Sequence, residues 1–159
     1  MMVLWRIGTD TPTYEADDRD GKGAEITGGR WNRPGTPVLY TATHISLAAL
    51  ETVVHLGLEG LPLNRYLVRI EVPAAVWKAR TKMPVSTLGV GWDARSVGKV
   101  SLDIGDAWLK AGSSALLEVP SVVVPEESNV LINPKHAHMV QIAATKVRLW
   151  QYDARLRTR

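Results

Sequence analysis

One glutamate stands where a helix is otherwise apolar. Residues 45–57 are predicted to form a helix, and helical positions three, four and seven apart share a face. Glu51 then lies in the middle of an apolar stripe of Leu47, Val54 and Leu58, which His44 and His55 flank. A carboxylate in an apolar face is costly unless it is paired or hydrogen-bonded. Glu51 is therefore either part of a structural ion pair, or on a surface side of the helix, or at the base of a cleft.

Two arginines could bind an anionic group. Arg30 follows Gly28 and Gly29, and two glycines permit a tight turn or a close approach of the backbone to a ligand. The guanidinium offers a planar fork for phosphate or carboxylate. Arg6 lies in a predicted strand over residues 3–7, on the face opposite its apolar neighbours, where it faces a pocket or pairs with Glu51. A surface turn for Arg30 and a packing pair for Arg6 are the structural alternatives.

Two hydroxyl groups are further candidates. Tyr40 ends a predicted strand over residues 38–41, just before the Glu51 helix, and is either a rim residue or a core tyrosine. Ser121 follows Pro120 between two apolar segments, but the sequence around it lacks the G-x-S-x-G elbow of a serine nucleophile. Ser121 is therefore predicted to be a hydrogen-bond donor.

The pattern of short apolar segments predicts a single α+β domain over residues 1–159. The alternation of side chains to opposite faces along residues 66–72 indicates a strand. A helix is predicted over 102–111, and Gly112 is expected to end it. Residues 10–29 are predicted to be a loop with one short helical turn, and residues 73–100 are left unassigned. Further predicted strands cover 115–119, 122–124, 130–132 and 146–152.

The composition and the placement of charged residues indicate which classes of protein and ligand are not expected. The 159 residues carry a net charge of +3 and no cysteine. The basic residues are scattered except for Arg155, Arg157 and Arg159, so no direct contact with nucleic acid is expected. His136 and His138 lack the neighbouring ligands of a metal site, and no metal is expected. No signal peptide or membrane helix is recognised, which predicts a cytoplasmic protein.

Six short segments are informative when they are taken in order: WRI at 5–7, GGRWN at 28–32, PVLYTA at 37–42, SLAALE at 46–51, VPS at 119–121 and NVLINP at 129–134. Together they resemble the RES domain, found as the toxin of bacterial toxin–antitoxin pairs. The resemblance covers nearly the whole chain. No single motif is specific, but the ordered set is.

The resemblance implies a fold similar to ADP-ribosyltransferases, with an Arg-Tyr-Glu constellation around NAD⁺ as substrate. It also implies an Xre-family helix-turn-helix antitoxin as partner and allows a homodimer within that complex. The arginine, glutamate and serine that give the family its name map onto Arg6 or Arg30, Glu51 and Ser121. Ser113 or Ser114 could be the functional hydroxyl instead.

The expected function is degradation of NAD⁺ by cleavage of its nicotinamide–ribose bond, through hydrolysis or phosphorolysis. The alternatives are ADP-ribosyl transfer to a protein and, from another class, a non-catalytic nucleotide-binding module. The predicted catalytic residues are Glu51, Arg30 and Tyr40, and the predicted substrate-binding residues are Arg6, Ser121 and Asn32.

Overall fold

A seven-stranded sheet organises the computed structural model, which describes residues 1–57 and 59–156. The strand order is β4-β5-β6-β2-β1-β3-β7. Neighbouring strands are antiparallel except for the parallel pair β4 and β5. In chain order the strands are β1 Met2–Thr9, β2 Leu39–Ala42, β3 Arg65–Val72, β4 Thr81–Lys82, β5 Leu116–Pro120, β6 Ser128–Ile132 and β7 Ala143–Leu149.

The helices are short, and the longest of them ends at a glycine. The α-helices are α1 Lys22–Thr27, α2 Ile45–Val53, α3 Ala74–Lys78 and α4 Lys99–Ala111. Gly112 ends α4 in the left-handed conformation, with φ 62°, as the sequence predicted. Among the described residues, no helix has the length and apolar character needed to cross a bilayer. The predicted α+β class is confirmed.

Strand alternation divides the sheet into two differently covered faces. On one face, called the helix face, α2 packs over Ile7, Ala42 and Leu67, and Trp108 of α4 packs over Leu117 and Leu131. On the other, called the loop face, Leu4 and Val68 pack under Ala16, Val76 and Met139. The two helices thus cover different parts of one face, α2 over β1, β2 and β3 and α4 over β5 and β6.

The helix that carries Glu51 is shorter than predicted. It ends at Val53, because His55 and Leu56 donate to carbonyls three residues back and tighten the last turn. Val54 is 53% exposed, so the predicted apolar stripe does not continue beyond the helix. Leu58 of that stripe lies outside the described residues, as do Arg157 and Arg159 of the basic tail.

Two further sequence expectations need correction. The predicted strand over 122–124 is a turn, and the predicted strand over 146–152 begins and ends earlier, as β7. The unassigned stretch contains α3, β4 and a 3₁₀ turn at Val85–Thr87. The predicted helical turn between residues 10 and 29 is α1.

Candidate active site

The Glu51 carboxylate is held through one of its two oxygens. Its Oε1 accepts hydrogen bonds from Ser121 Oγ at 2.5 Å and from Asn129 Nδ2 at 2.7 Å. Within the described residues, Oε2 accepts no hydrogen bond and Glu51 has no ion-pair partner. Two neutral donors therefore fix a half-buried carboxylate without neutralising its charge.

The Ser121 hydroxyl uses its full hydrogen-bonding capacity within the protein. Its oxygen accepts hydrogen bonds from the backbone N–H groups of Val123 and Val124, both at 3.0 Å, while its proton is donated to Glu51. A hydroxyl has one proton and two lone pairs, so none remains for attack on a substrate. These bonds also explain why residues 122–124 form a turn, since the serine takes N–H groups that a strand ladder would use.

Asn129 is a site residue to which sequence reasoning assigned no role. It lies in β6 opposite Ala42 of β2 and Val119 of β5, so its side chain is on the helix face. The amide reaches Glu51 across 78 residues of sequence. Only the strand register reveals this position, because an asparagine in a β segment has no distinctive spacing.

Tyr40 holds the glycine-containing turn in place. Its hydroxyl accepts a hydrogen bond from the Trp31 N–H at 2.9 Å and donates one to Asn32 Oδ1 at 2.6 Å. Burial raises the pKa of Tyr40 well above its ordinary value, although the hydrogen bond that its hydroxyl accepts from the Trp31 N–H partly opposes the shift. A Cβ on Gly29 would approach the hydroxyl to 2.6 Å, which explains why a glycine is needed there.

Asn32 is a structural centre of the same turn. It is 1% exposed, and its amide nitrogen donates to the carbonyls of Ala24 and Thr36, each at 2.9 Å. With its oxygen accepting from Tyr40, both ends of the amide are engaged by the protein. The structure therefore places Asn32 beneath the turn and not at its surface.

Arg30 connects this turn to the loop before α4. Its Nη1 donates to the carbonyls of Trp92 at 3.0 Å and Ala94 at 2.8 Å. Within the described residues, its Nε and Nη2 donate to no other group. Trp31 is buried against Trp92, with ring centroids 6.3 Å apart, and therefore packs in the core.

The Glu51 cluster and the Arg30 turn are neighbours on the sheet. Tyr40 is opposite Leu131 in β6, and Asn129 lies two residues along that strand on the same face. Such diagonal neighbours have Cα atoms about 7–8 Å apart. The Glu51 cluster therefore adjoins Tyr40 on the helix face, and Tyr40 in turn contacts the turn that carries Arg30.

The structure does not bring Arg6 to this region. Its neighbour Trp5 pairs with Ala42 on the helix face, so Arg6 points to the loop face beside Val68. Burial lowers the pKa of Arg6, while Asp18, Tyr14 and Asp17 act in the opposite direction. In the described part of the chain, the guanidinium forms no hydrogen bond, and the expected pair with Glu51 is not found.

The alternative serines and the histidines lie elsewhere. Ser114 is buried and binds Trp108 Nε1, the Leu116 carbonyl and the Thr81 hydroxyl, while Ser113 is exposed. The hydroxyl next to Glu51 is therefore that of Ser121. Over residues 1–57 and 59–156, no group of three or more His, Asp or Glu side chains is arranged to hold a metal ion.

Comparisons with known proteins agree with the resemblance seen in the sequence. The RES domain family model matches residues 3–154. The "Prs ADP-ribosylating toxin" of Sphingobium sp. (strain YBL2) is 55% identical over 96% of this chain and 95% of its own length. A protein named "Toxin Res" from Pseudomonas putida is 36% identical over 98% of this chain and 99% of its own. The chain therefore belongs to the RES domain family, whose members named here are toxins.

A solved structure has the same fold. A chain in the crystal structure of the M. tuberculosis MbcT–MbcA toxin–antitoxin complex superposes with a TM-score of 0.65. The match covers 92% of this chain and 84% of that one, at 15% sequence identity. The likeness at this identity concerns the fold.

Proposed function

We propose that this chain is the toxin of a toxin–antitoxin pair and that it cleaves the nicotinamide–ribose bond of NAD⁺. The observation that carries the proposal is the Glu51 carboxylate, which is half-buried, held by neutral donors and open at Oε2. Family membership and the toxin names of the relatives support the same conclusion.

The reaction creates positive charge, which suits an unpaired carboxylate. When the C–N bond breaks, its electron pair leaves with nicotinamide, which departs as a neutral molecule. The ribose carbon becomes oxocarbenium-like, and Glu51 stabilises it, as carboxylates do in glycoside cleavage. Water then adds to that carbon and loses a proton, which gives ADP-ribose. Phosphate in place of water gives ADP-ribose 1″-phosphate.

In the proposed reaction, Arg30 and Tyr40 bind NAD⁺. Arg30 keeps Nε and Nη2 for the pyrophosphate while its Nη1 is held by Trp92 and Ala94. The Tyr40 hydroxyl is engaged with the turn, so its ring is the part that packs against nicotinamide or ribose. Asn32 acts by supporting that turn. Arg6 has no role in the proposed reaction, because it lies on the loop face.

A product analysis tests the proposal. Purified protein is incubated with NAD⁺ in buffer with and without inorganic phosphate, and nicotinamide is quantified by chromatography. We expect one nicotinamide per NAD⁺ consumed, with ADP-ribose or its 1″-phosphate as the co-product. NAD⁺ that binds but stays intact would show instead a non-catalytic nucleotide-binding module.

Transfer of ADP-ribose to a protein is the second candidate. It is favoured by the name of the 55% identical relative, an ADP-ribosylating toxin. NAD⁺ labelled in its adenylate part distinguishes the two reactions in a cell extract. Transfer leaves the label on a protein, whereas hydrolysis or phosphorolysis leaves it on a small molecule.

The proposed partner is an Xre-family helix-turn-helix antitoxin. It is supported by membership of a toxin family and by the fold shared with a chain of a toxin–antitoxin complex. We further propose a cytoplasmic location, a homodimer within the complex and no direct contact of this chain with nucleic acid. Co-purification of the toxin with the product of the adjacent reading frame tests the partner.

A further inference from the structure

Asn129 shares the same carboxylate oxygen with Ser121 and is not needed to bind NAD⁺ in the proposed reaction. We propose that Asn129 is a positioning residue, which together with Ser121 directs Oε2 of Glu51 at the substrate. This inference rests on the proposed function and adds the orientation of the carboxylate to it.

The two donors restrain Glu51 from separate parts of the fold. Ser121 lies just after β5, in a turn fixed by the Val123 and Val124 N–H groups, and Asn129 lies within β6. A single donor would let the carboxylate rotate about the hydrogen bond. Two donors on one oxygen define both its position and the direction of Oε2. The conformational restriction is then established on folding and not during the reaction.

The chemistry of an amide suits this position. Asn129 donates a hydrogen bond without bringing a positive charge, so Glu51 keeps its charge for the ribosyl cation. A lysine or arginine here would form an ion pair and compete with that cation. An aspartate would place a second carboxylate within about 3 Å, where like charges repel. Asn129 therefore suits this position because its side chain is long enough to reach Glu51 and carries no charge.

A double-mutant experiment tests the inference. Asn129→Ala is made in the wild type and in Glu51→Gln, and kcat and KM for nicotinamide release are measured. We expect Asn129→Ala to lower kcat about 10- to 100-fold, as for loss of one hydrogen bond to a charged group, with KM changed less than about threefold. In the Glu51→Gln background it should have no further effect, because its effect passes through the carboxylate.

A matched control separates positioning from folding. Asn64→Ala removes an exposed asparagine amide that donates to the Asp10 carbonyl at 2.7 Å, away from the site. It should leave kcat unchanged at temperatures where the protein is folded. A loss for Asn129→Ala that is equal in both backgrounds, or one confined to KM, would overturn the proposal.

A second measurement does not depend on turnover. Side-chain ¹³C NMR of Glu51 should show one rotamer in the wild type and rotamer averaging in Asn129→Ala. One unchanged rotamer in both proteins would refute the positioning role. If the wild type releases no nicotinamide, the proposed reaction fails, and the NMR comparison still decides whether Asn129 holds Glu51.

Discussion

Glu51 and Arg6 lie on opposite faces of the same sheet, and their charged groups have different hydrogen-bond partners. On the helix face, two side-chain donors point at one oxygen of Glu51. On the loop face, Arg6 lies beside Val68 and is influenced by the charges of Asp17 and Asp18, and within the described residues no acceptor contacts its guanidinium. Both side chains are partly exposed, and they differ in that the described residues offer hydrogen-bond donors to Glu51 but no acceptor to Arg6.

The comparison teaches that a charged residue among apolar neighbours is not by itself a site. Both residues have that character in the sequence, and both match segments typical of the RES domain. The difference lies in the groups that surround them. A carboxylate for catalysis needs donors that orient it and an open side toward the substrate. Glu51 has orienting donors, whereas within the described residues Arg6 has no hydrogen-bond partner.

Replacement of Glu51 should give the largest effect. Glu51→Gln keeps the size of the side chain but removes the charge that stabilises the ribosyl cation. We expect kcat for nicotinamide release to fall about 10²- to 10³-fold. Glu126→Gln is the matched control, because Glu126 is exposed, lies between Ser121 and Asn129 in sequence, and forms no side-chain hydrogen bond or ion pair with any of the described residues. Equal activity of the two variants would contradict the role of Glu51.

Ser121→Ala should lower both activity and stability. It removes one donor to Glu51 and leaves the N–H groups of Val123 and Val124 without their acceptor. We expect kcat to fall about tenfold or more and the free energy of unfolding to fall by about 1–3 kcal/mol. Urea denaturation measures the second quantity. The exposed Ser113→Ala serves as control, and a Ser121→Ala protein with wild-type kcat would show that the hydroxyl does not orient Glu51.

A smaller effect is expected from Tyr40→Phe. The ring stays, but Trp31 N–H and Asn32 Oδ1 lose their common partner, which loosens the turn that carries Arg30. We predict a loss of about 1–2 kcal/mol in unfolding free energy and a rise in KM for NAD⁺. Tyr66→Phe is the control, because the Tyr66 hydroxyl forms no hydrogen bond within residues 1–57 and 59–156. An unchanged KM for NAD⁺ in Tyr40→Phe would show that this turn does not contribute to substrate binding.

Arg6→Met should have the smallest effect on activity. Methionine fills a similar volume on the loop face without the cost of burying a charge, so stability should be equal or higher. Nicotinamide release should stay within about threefold of the wild type, by the usual size of effects at a distance from a site. A loss as large as that of Glu51→Gln would show that Arg6 takes part in catalysis.

Much of the fold could be predicted from local patterns. The alternating side chains of Arg65–Val72 predict a strand, and the glycine after α4 predicts the end of that helix. Both predictions depend only on residues that are close in sequence. The turn at residues 122–124 could not be predicted, because three valines favour a strand. There, hydrogen bonds from two of their N–H groups to Ser121 outweigh strand propensity.

The site was less predictable than the fold because its contacts are long-range. The bond between Ser121 and Glu51 spans 70 residues, and that between Asn129 and Glu51 spans 78. The sequence predicted Ser121 as a hydrogen-bond donor, and the resemblance to the family also indicated it, but neither gave a reason to choose Asn129. The side of the sheet occupied by Arg6 relative to Glu51 depends on how β1, β2 and β6 pair, which local spacing does not specify.

The most direct test of the account separates binding from chemistry at Glu51. Wild-type protein and Glu51→Gln are each mixed in excess with labelled NAD⁺, and bound NAD⁺ and released nicotinamide are measured in the same sample over a single turnover. The account predicts that both proteins bind NAD⁺ and that only the wild type releases nicotinamide at an appreciable rate. Equal release by both proteins would contradict it.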